Sequence, residues 1–347
     1  MLLELYDWGL EARTLQVIAG LILGLVFGAA AQATRFCLRR AVAGEPGERG
    51  SAAAIWVTAF AAAILGFAGA SAYGLVAIEE HRLLDSSLPL AAILIGGFAF
   101  GVGMVLTRGC VSRLTVLSAT GNLRAVFVLL AFAVTAHATL KGVLAPVRTS
   151  IGAVTTELPV ATLGELSFGF AAFAAASVVL AYYLVRRAGP PLWQVALAVL
   201  IGLVAVGGWS VSSVLLFDEF DPLPVQSAAF TLPWSDGLFW LIASSAIPAG
   251  FGVGFIGGVL GGAFASAALR RELQWQSFSA PGETLRYVAG GALMGVGGVL
   301  AGGCTVGAGL SGSAMGSIAA LLALAAIIVG GFAASRAVEG RLAGAPA

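Results

Sequence analysis

Polar residues along this chain come as short interruptions between long apolar runs. Nine runs are long enough to cross ~30 Å of hydrocarbon as helices. They lie at approximately 15–33, 51–77, 89–107, 122–145, 160–185, 191–217, 238–268, 284–302 and 314–334. The pattern predicts an all-α polytopic membrane protein of about nine transmembrane helices, with residues 1–347 as one transmembrane domain in the lipid bilayer. The stretch before the first run, "MLLELYDWGLEAR", is acidic, and the run ends in "TRFCLRR" rather than at a small-residue cleavage site. It therefore reads as a retained helix and not as a signal peptide.

Composition supports the same class. The 347 residues are 59% hydrophobic and 10% charged, with a mean hydropathy of +0.98, whereas a soluble domain carries roughly 25% charged residues. The net charge is +1 and no basic cluster is present to track a phosphate backbone, so nucleic acid is not an expected partner.

Charge placement adds an orientation. Arginines follow the first, third, fifth, seventh and ninth runs, from Arg35, Arg39 and Arg40 to Arg336 and Arg341. The other connections are acidic or nearly neutral, notably "FDEFDPLP" after the sixth run. By the positive-inside bias the N-terminus is expected outside and the C-terminus in the cytoplasm. All seventeen acids lie in termini, loops or run ends. No intramembrane carboxylate relay of the kind proton-coupled carriers use is visible.

Two glycine-rich phrases repeat. "GGFAFGVGMVLTRGC" (96–110) and "GGALMGVGGVLAGGC" (290–304) share nine identities in fifteen positions, ending on Gly109-Cys110 and Gly303-Cys304. Cysteine is scarce here, with three in the chain, so the paired ending points to an internal duplication, a frequent way to build transporters. A weaker echo joins "AGLILGLVFG" (19–28) to "AGFGVGFIGG" (249–258). The expected organisation is a first repeat at 15–145, connecting helices at 160–217 and a second repeat at 238–335. Simple alternation makes the first and seventh runs point the same way while the third and eighth oppose. Some runs are therefore expected to be re-entrant, with breaks at the Gly-Cys loops, because irregular backbone is tolerated at depth only where protein or a wet cavity satisfies it.

The thiols are the candidate chemistry. Arg35, Arg39 and Arg40 flank Cys37, Arg108 and Arg113 flank Cys110, and glycines flank Cys304. Gly109 and Gly303 let backbone amides approach a ligand closely. Short helices starting just after Cys110 and Cys304 would present free amides and a favourable dipole to an anion. A neutral thiol is soft and weakly donating, which suits an anion that itself bears sulfur. The bland alternatives are cysteine as a small core hydrophobe, glycine as helix-packing surface and arginine as topology marker. His137 and Lys141, one turn apart, face a cavity together, or Lys141 snorkels to the surface.

These phrases carry a family resemblance. "FGAAAQATRFCLRRA", "GGFAFGVGMVLTRGCVSR", "ELQWQSF" and "GGALMGVGGVLAGGCTVGAGLSG" resemble the YeeE/YedE sulfur-transport family of prokaryotic inner-membrane proteins, over about residues 15 to 335. The resemblance implies an hourglass-shaped helical protein pinched by short re-entrant helices. It implies thiosulfate passing three cysteines, which correspond here to Cys37, Cys110 and Cys304. It also implies a small soluble sulfur carrier, similar to the TusA type, on the cytoplasmic side.

The resulting expectation is a transporter, not an enzyme, that takes up a small sulfur-containing anion, most readily thiosulfate, through a central pathway. Its substrate-binding set is Cys37, Cys110, Cys304, Gly109, Gly303, Arg35 and Arg108, with no cofactor or metal. A membrane thiol sulfurtransferase or oxidoreductase is the first alternative, although no C-x-x-C pair is present. A passive channel for another small anion is the second. No G-x-x-x-x-G-K-[ST] phrase is present to couple the chain to ATP.

Overall fold

The computed structural model describes residues 11–78, 81–216, 223–278 and 281–343. The acidic stretch at 217–222, and with it most of the charge noted after the sixth run, lies outside the described residues.

Each apolar run becomes helix where no proline or loop glycine interrupts it. The helices are α1 (Ala12–Thr34), α2 (Leu38–Ala43), α3 (Pro46–Ala72), α4 (Leu90–Leu106), α5 (Val111–Ala119), α6 (Leu123–Lys141) and α7 (Ala145–Gly152). After these come α8 (Gly169–Ala188), α9 (Leu192–Ser210), α10 (Thr231–Ala243), α11 (Phe251–Leu269), α12 (Pro281–Leu300) and α13 (Ile318–Ala343). Wider π turns occupy Val211–Leu215 and Gly307–Gly312. A two-stranded antiparallel pair, Ser87–Leu88 with Thr156–Glu157, is the sheet found among the described residues. Eight helical segments there are long and apolar enough to cross a membrane. The chain is thus an all-α polytopic membrane protein.

Two runs differ from expectation. The run at 238–268 is two helices, α10 and α11, separated by a turn around Pro248. Proline cannot donate to a helix, and it pushes the residue before it out of helical geometry. The run at 284–302 is the 20-residue helix α12, which carries Glu283 and Arg286 in its first turns and falls outside those eight segments.

Glycines set how the helices meet. The most extensive pairing is α1 with α11. A Cβ on Gly20, Gly24 or Gly28 would lie within 3 Å of the backbone of Phe251, Phe255 or Val259, and one on Gly254, Gly258 or Gly262 equally close to Val17, Leu21 or Leu25. Residue numbers rise together along the contact, so the two helices are parallel and touch backbone to backbone.

The repeated phrases meet in the opposite sense. A Cβ on Gly96 would lie 2.7 Å from the Gly297 carbonyl, and one on Gly103 2.6 Å from that of Gly290. These contacts exchange when the two phrases are exchanged, and α4 and α12 are antiparallel. The same reciprocity extends outward. Gly97 and Gly101 face the carbonyls of Ala323 and Ile327 on α13, while Gly291 and Gly295 face those of Val128 and Phe132 on α6. The antiparallel relation requires an axis across the helices and the α1–α11 relation an axis along them. No single twofold contains both, so the opposed directions read from the sequence are present in the fold with α1 and α11 each full length.

Candidate functional site

All three cysteines are free and buried. Each is delivered by the same backbone device. Arg35, Arg108 and Gly302 hold left-handed φ values of 54°, 58° and 76°, and each stands two residues before a cysteine. α1 and α4 both close with a bond from the residue after the left-handed one: Phe36 N–H donates to Ala31 O (3.1 Å) and Gly109 N–H to Met104 O (3.0 Å). These are Schellman-type ends, which stop a helix and reverse the chain. Cys37 and Cys110 are then the N-caps of α2 and α5. Cys304 is followed by a turn and the Gly307–Gly312 π segment, so a short helix starts directly after Cys110 but not after Cys304.

The ends converge. Cys37 Sγ lies 3.9 Å from Cys110 Sγ. The Cys110 thiol also meets Ser112 Oγ at 3.2 Å and interacts with the side chain of Thr305, the neighbour of Cys304. Cys304 Sγ accepts from the Gly307 amide at 3.3 Å. Gly303 packs with its Cα against Ala308, where a Cβ would come 2.6 Å from the backbone nitrogen. Gly109 is freer, since a Cβ there would meet the Leu114 side chain first, at 3.3 Å.

Cavities lie on both sides of the thiols. The first, about 90 Å³, is bordered by His81, Arg82, Thr231, Gly303 and Gly307, and so reaches the residues beside Cys304. The Thr231 hydroxyl is buried there without a hydrogen-bond partner among the described residues. The second, about 340 Å³, is bordered by Arg35, Arg40 and Arg113 together with Glu48 and Glu272. Arg113 borders that cavity and lies within electrostatic range of both Cys37 and Cys110. It has no hydrogen bond or ion pair among the described residues, whereas Arg40 is tied to Glu48 at 3.2 Å.

Of the residues singled out from the sequence, the three cysteines, Gly303 and Arg35 therefore border this thiol cluster or its cavities, and Gly109 forms its turn. Arg108 does not join them. Its side chain is exposed and lines neither cavity. Arg40 and Arg113 line the second cavity instead, and a signal for them was present: "TRFCLRR" and "TRGCVSR" share T-R-x-C-x-x-R, with Arg40 and Arg113 at matching ends. One left-handed residue precedes each cysteine by two positions, at Arg35 and at Arg108.

One side of the small cavity is formed by the loop at His81, Arg82 and Leu83. Arg82 donates to Gly302 O at 2.8 Å, and the Leu83 amide donates to His81 Nδ1 at 3.2 Å. The His81 ring stands edge-on to Trp209, 5.2 Å between centroids. Burial, aided by the Arg82 charge, pushes the His81 pKa down from 6.5 to about 4. A base whose folded pKa lies below its unfolded one is held neutral, so its contribution is complete above about 6.5 and is lost as pH falls toward 4. Hydroxyl-radical footprinting of residues 81–84 is expected to show strong protection at pH 7 and weaker protection at pH 4.5. Equal protection at both values would contradict this.

A family model described as "Sulphur transport" matches residues 33–333. The chain is similar to "Thiosulfate transporter TsuA" of Escherichia coli (strain K12), 26% identical over 347 residues covering 92% of this chain and 94% of the relative. It is likewise similar to "Thiosulfate transporter TsuA" of Spirochaeta thermophila (strain ATCC 700085 / DSM 6578 / Z-1203), 27% identical over 289 residues, 70% of this chain and 76% of the relative.

Proposed function

From the premise that this chain belongs to the sulphur transport family, we propose that it carries thiosulfate, or a closely related sulfur anion, across the inner membrane past Cys304, Cys110 and Cys37 in turn. The family is one of transporters, and no enzymatic reaction is assigned. The observation that carries the reading is the convergence of buried thiols from distant parts of the chain, with Cys37 and Cys110 3.9 Å apart and cavities on either side. Conduction needs sites that bind an ion enough to admit it and not enough to trap it. A thiol offers a weak S–H donor and a polarizable partner for the terminal sulfur of thiosulfate.

In this reading the reciprocal α4–α12 contact is what remains of the duplication, with the repeats at 15–145 and 238–335 joined through 160–217. On the positive-inside bias this reading has the Arg35–Arg113 cavity on the cytoplasmic side, the C-terminus with it, and the N-terminus outside. A TusA-like carrier would take up the anion at that cavity.

Arg113 is the cation that meets the anion as it leaves the thiols. A charge-assisted hydrogen bond contributes about 1.5–3 kcal/mol, which is about tenfold or more in affinity. Arg113→Gln is therefore expected to raise the KM for thiosulfate uptake about tenfold or more at normal membrane levels, while Arg108→Gln stays near wild type. Uptake kinetics in cells lacking their own sulfate and thiosulfate systems measure this. Indistinguishable kinetics for Arg113→Gln and the wild type would reject the assignment.

A further inference from the structure

A third cavity, about 350 Å³, lies at the far end of α1 and α11 from the Arg35–Arg113 cavity. Among its lining residues are Arg13 and Gln16 from the start of α1, His137 and Lys141 from the end of α6, Asp236 from α10 and Gly250 ahead of α11. Nothing in the thiol pathway uses it.

Four independent features favour a negative occupant. First, α1 and α11 are parallel, so their N-termini lie together, and neither has a side-chain cap. Each terminus is equivalent to roughly half a positive charge, and two held side by side repel unless an anion lies between their free amides. Second, Gln16 is 3% exposed and its amide nitrogen has no partner among the described residues. A buried carboxamide without hydrogen bonds is costly, and a ligand in the cavity would supply them. Third, Arg13 has no hydrogen bond or ion pair among the described residues, and Lys141 is the single lysine of the chain. Fourth, a Cβ on Gly250 would meet nothing within 4 Å, so the backbone there is open to the cavity.

One group opposes. Asp236 faces Lys141 and His137, and burial raises its pKa. His137 is held by Ser235 at 3.0 Å and stacked on Phe239 at 4.4 Å. Arg13 and Lys141 still outweigh one carboxylate.

We propose that this cavity is an oxyanion-binding site on the extracytoplasmic side, taking sulfate-type tetrahedral anions and the sulfonate end of thiosulfate. Its donors are N–H groups and it holds no thiol, so it reads oxygen and charge and does not select for a terminal sulfur. The volume has room for such an ion with several waters, at ~30 Å³ of liquid volume each. Gln226 borders both this cavity and the small one beside Gly303, so an anion held here stands next to the entrance of the thiol route. The proposal rests on the transport reading for the direction of traffic, and on the cavity alone for binding.

The test is saturable binding of radiolabelled sulfate to the purified full-length protein in detergent. The wild type and a Cys37→Ala/Cys110→Ala double variant are expected to bind alike. Arg13→Gln/Lys141→Gln is expected to bind at least tenfold more weakly with an unchanged melting temperature. Gly250→Leu, which places a side chain in the open cavity, is expected to weaken binding similarly and guards against a folding artefact in the pair. No saturable binding by the wild type would overturn the site. So would full binding by both the Arg13/Lys141 pair and Gly250→Leu, or loss of binding in the thiol variant alone. Thiosulfate uptake by the thiol variants reports separately on the transport reading, so the two ideas fail independently.

Discussion

Alanine at Cys110, or separately at Cys304, is expected to lower thiosulfate uptake at least tenfold while membrane levels and melting temperature stay close to wild type. The physical basis is that each thiol is a stepping contact inside a constriction. Cys110 touches Cys37 at 3.9 Å and Ser112 at 3.2 Å, and Cys304 takes the Gly307 amide. Removing one sulfur leaves a gap that a desolvated anion must cross without a partner. Unpaired buried charge is far more costly than a weak contact, so a loss of ~1.4 kcal/mol or more at the barrier, tenfold in rate, is a minimum. Stability is expected to change less, because Ala retains the Cβ and Cys is a small hydrophobe in packing terms. Uptake of labelled thiosulfate with immunoblotted membrane levels decides the matter. Normal uptake by both variants would end the thiol pathway, and the cysteines would then be packing residues.

Gly258→Val should fail at an earlier stage, in the fold itself. A Cβ there would lie within 3 Å of the Leu21 carbonyl and the Leu25 nitrogen, and only 2.9 Å from Gly24 Cα. Those neighbours are backbone, with no side-chain rotamer to yield. Helix α1 would have to move off α11, and overpacking of this kind costs about 1–3 kcal/mol or more. The matched control is Gly257→Ala, whose Cβ would first meet Leu21 Cδ1 at 3.8 Å. It is expected to be neutral or stabilising, since Ala is the better helix former by about 1 kcal/mol. Thermal unfolding of the detergent-purified variants compares the two. A Gly258→Val protein that melts with the wild type would show that α1 and α11 do not pack through their glycines.

The residues of the thiol cluster were legible to different degrees. Cys110 and Cys304 stand out because a scarce residue ends two copies of one phrase. Cys37 lies outside that repeat, yet its flanking arginines were visible, and its phrase carried a further signal in T-R-x-C-x-x-R. Arg113 and Arg108 illustrate the limit. They lie five residues apart around one cysteine and are chemically identical, so spacing and composition do not separate them. A left-handed turn at Arg108 leaves its own side chain outside and begins the short helix that carries Arg113 inward. His137 and Lys141 show the same limit. One helical turn apart, they read equally as a surface pair or a cavity pair, and the cavity exists because α1, α10 and α11 bring Arg13, Asp236 and Gly250 to the same end.

By itself the sequence determined that this is a helical membrane protein, where most of its spans lie, and that glycine and cysteine mark two related breaks. Those properties follow from local quantities, namely apolar length against bilayer thickness and the conformational freedom of glycine. Only the tertiary structure decided that α1 and α11, and likewise α4 and α12, touch backbone to backbone, that Cys37 lies against Cys110, and that Arg113 rather than Arg108 faces them. Those depend on which helix faces meet between segments far apart in the chain, and that is settled by close packing between segments, not by the character of any segment alone.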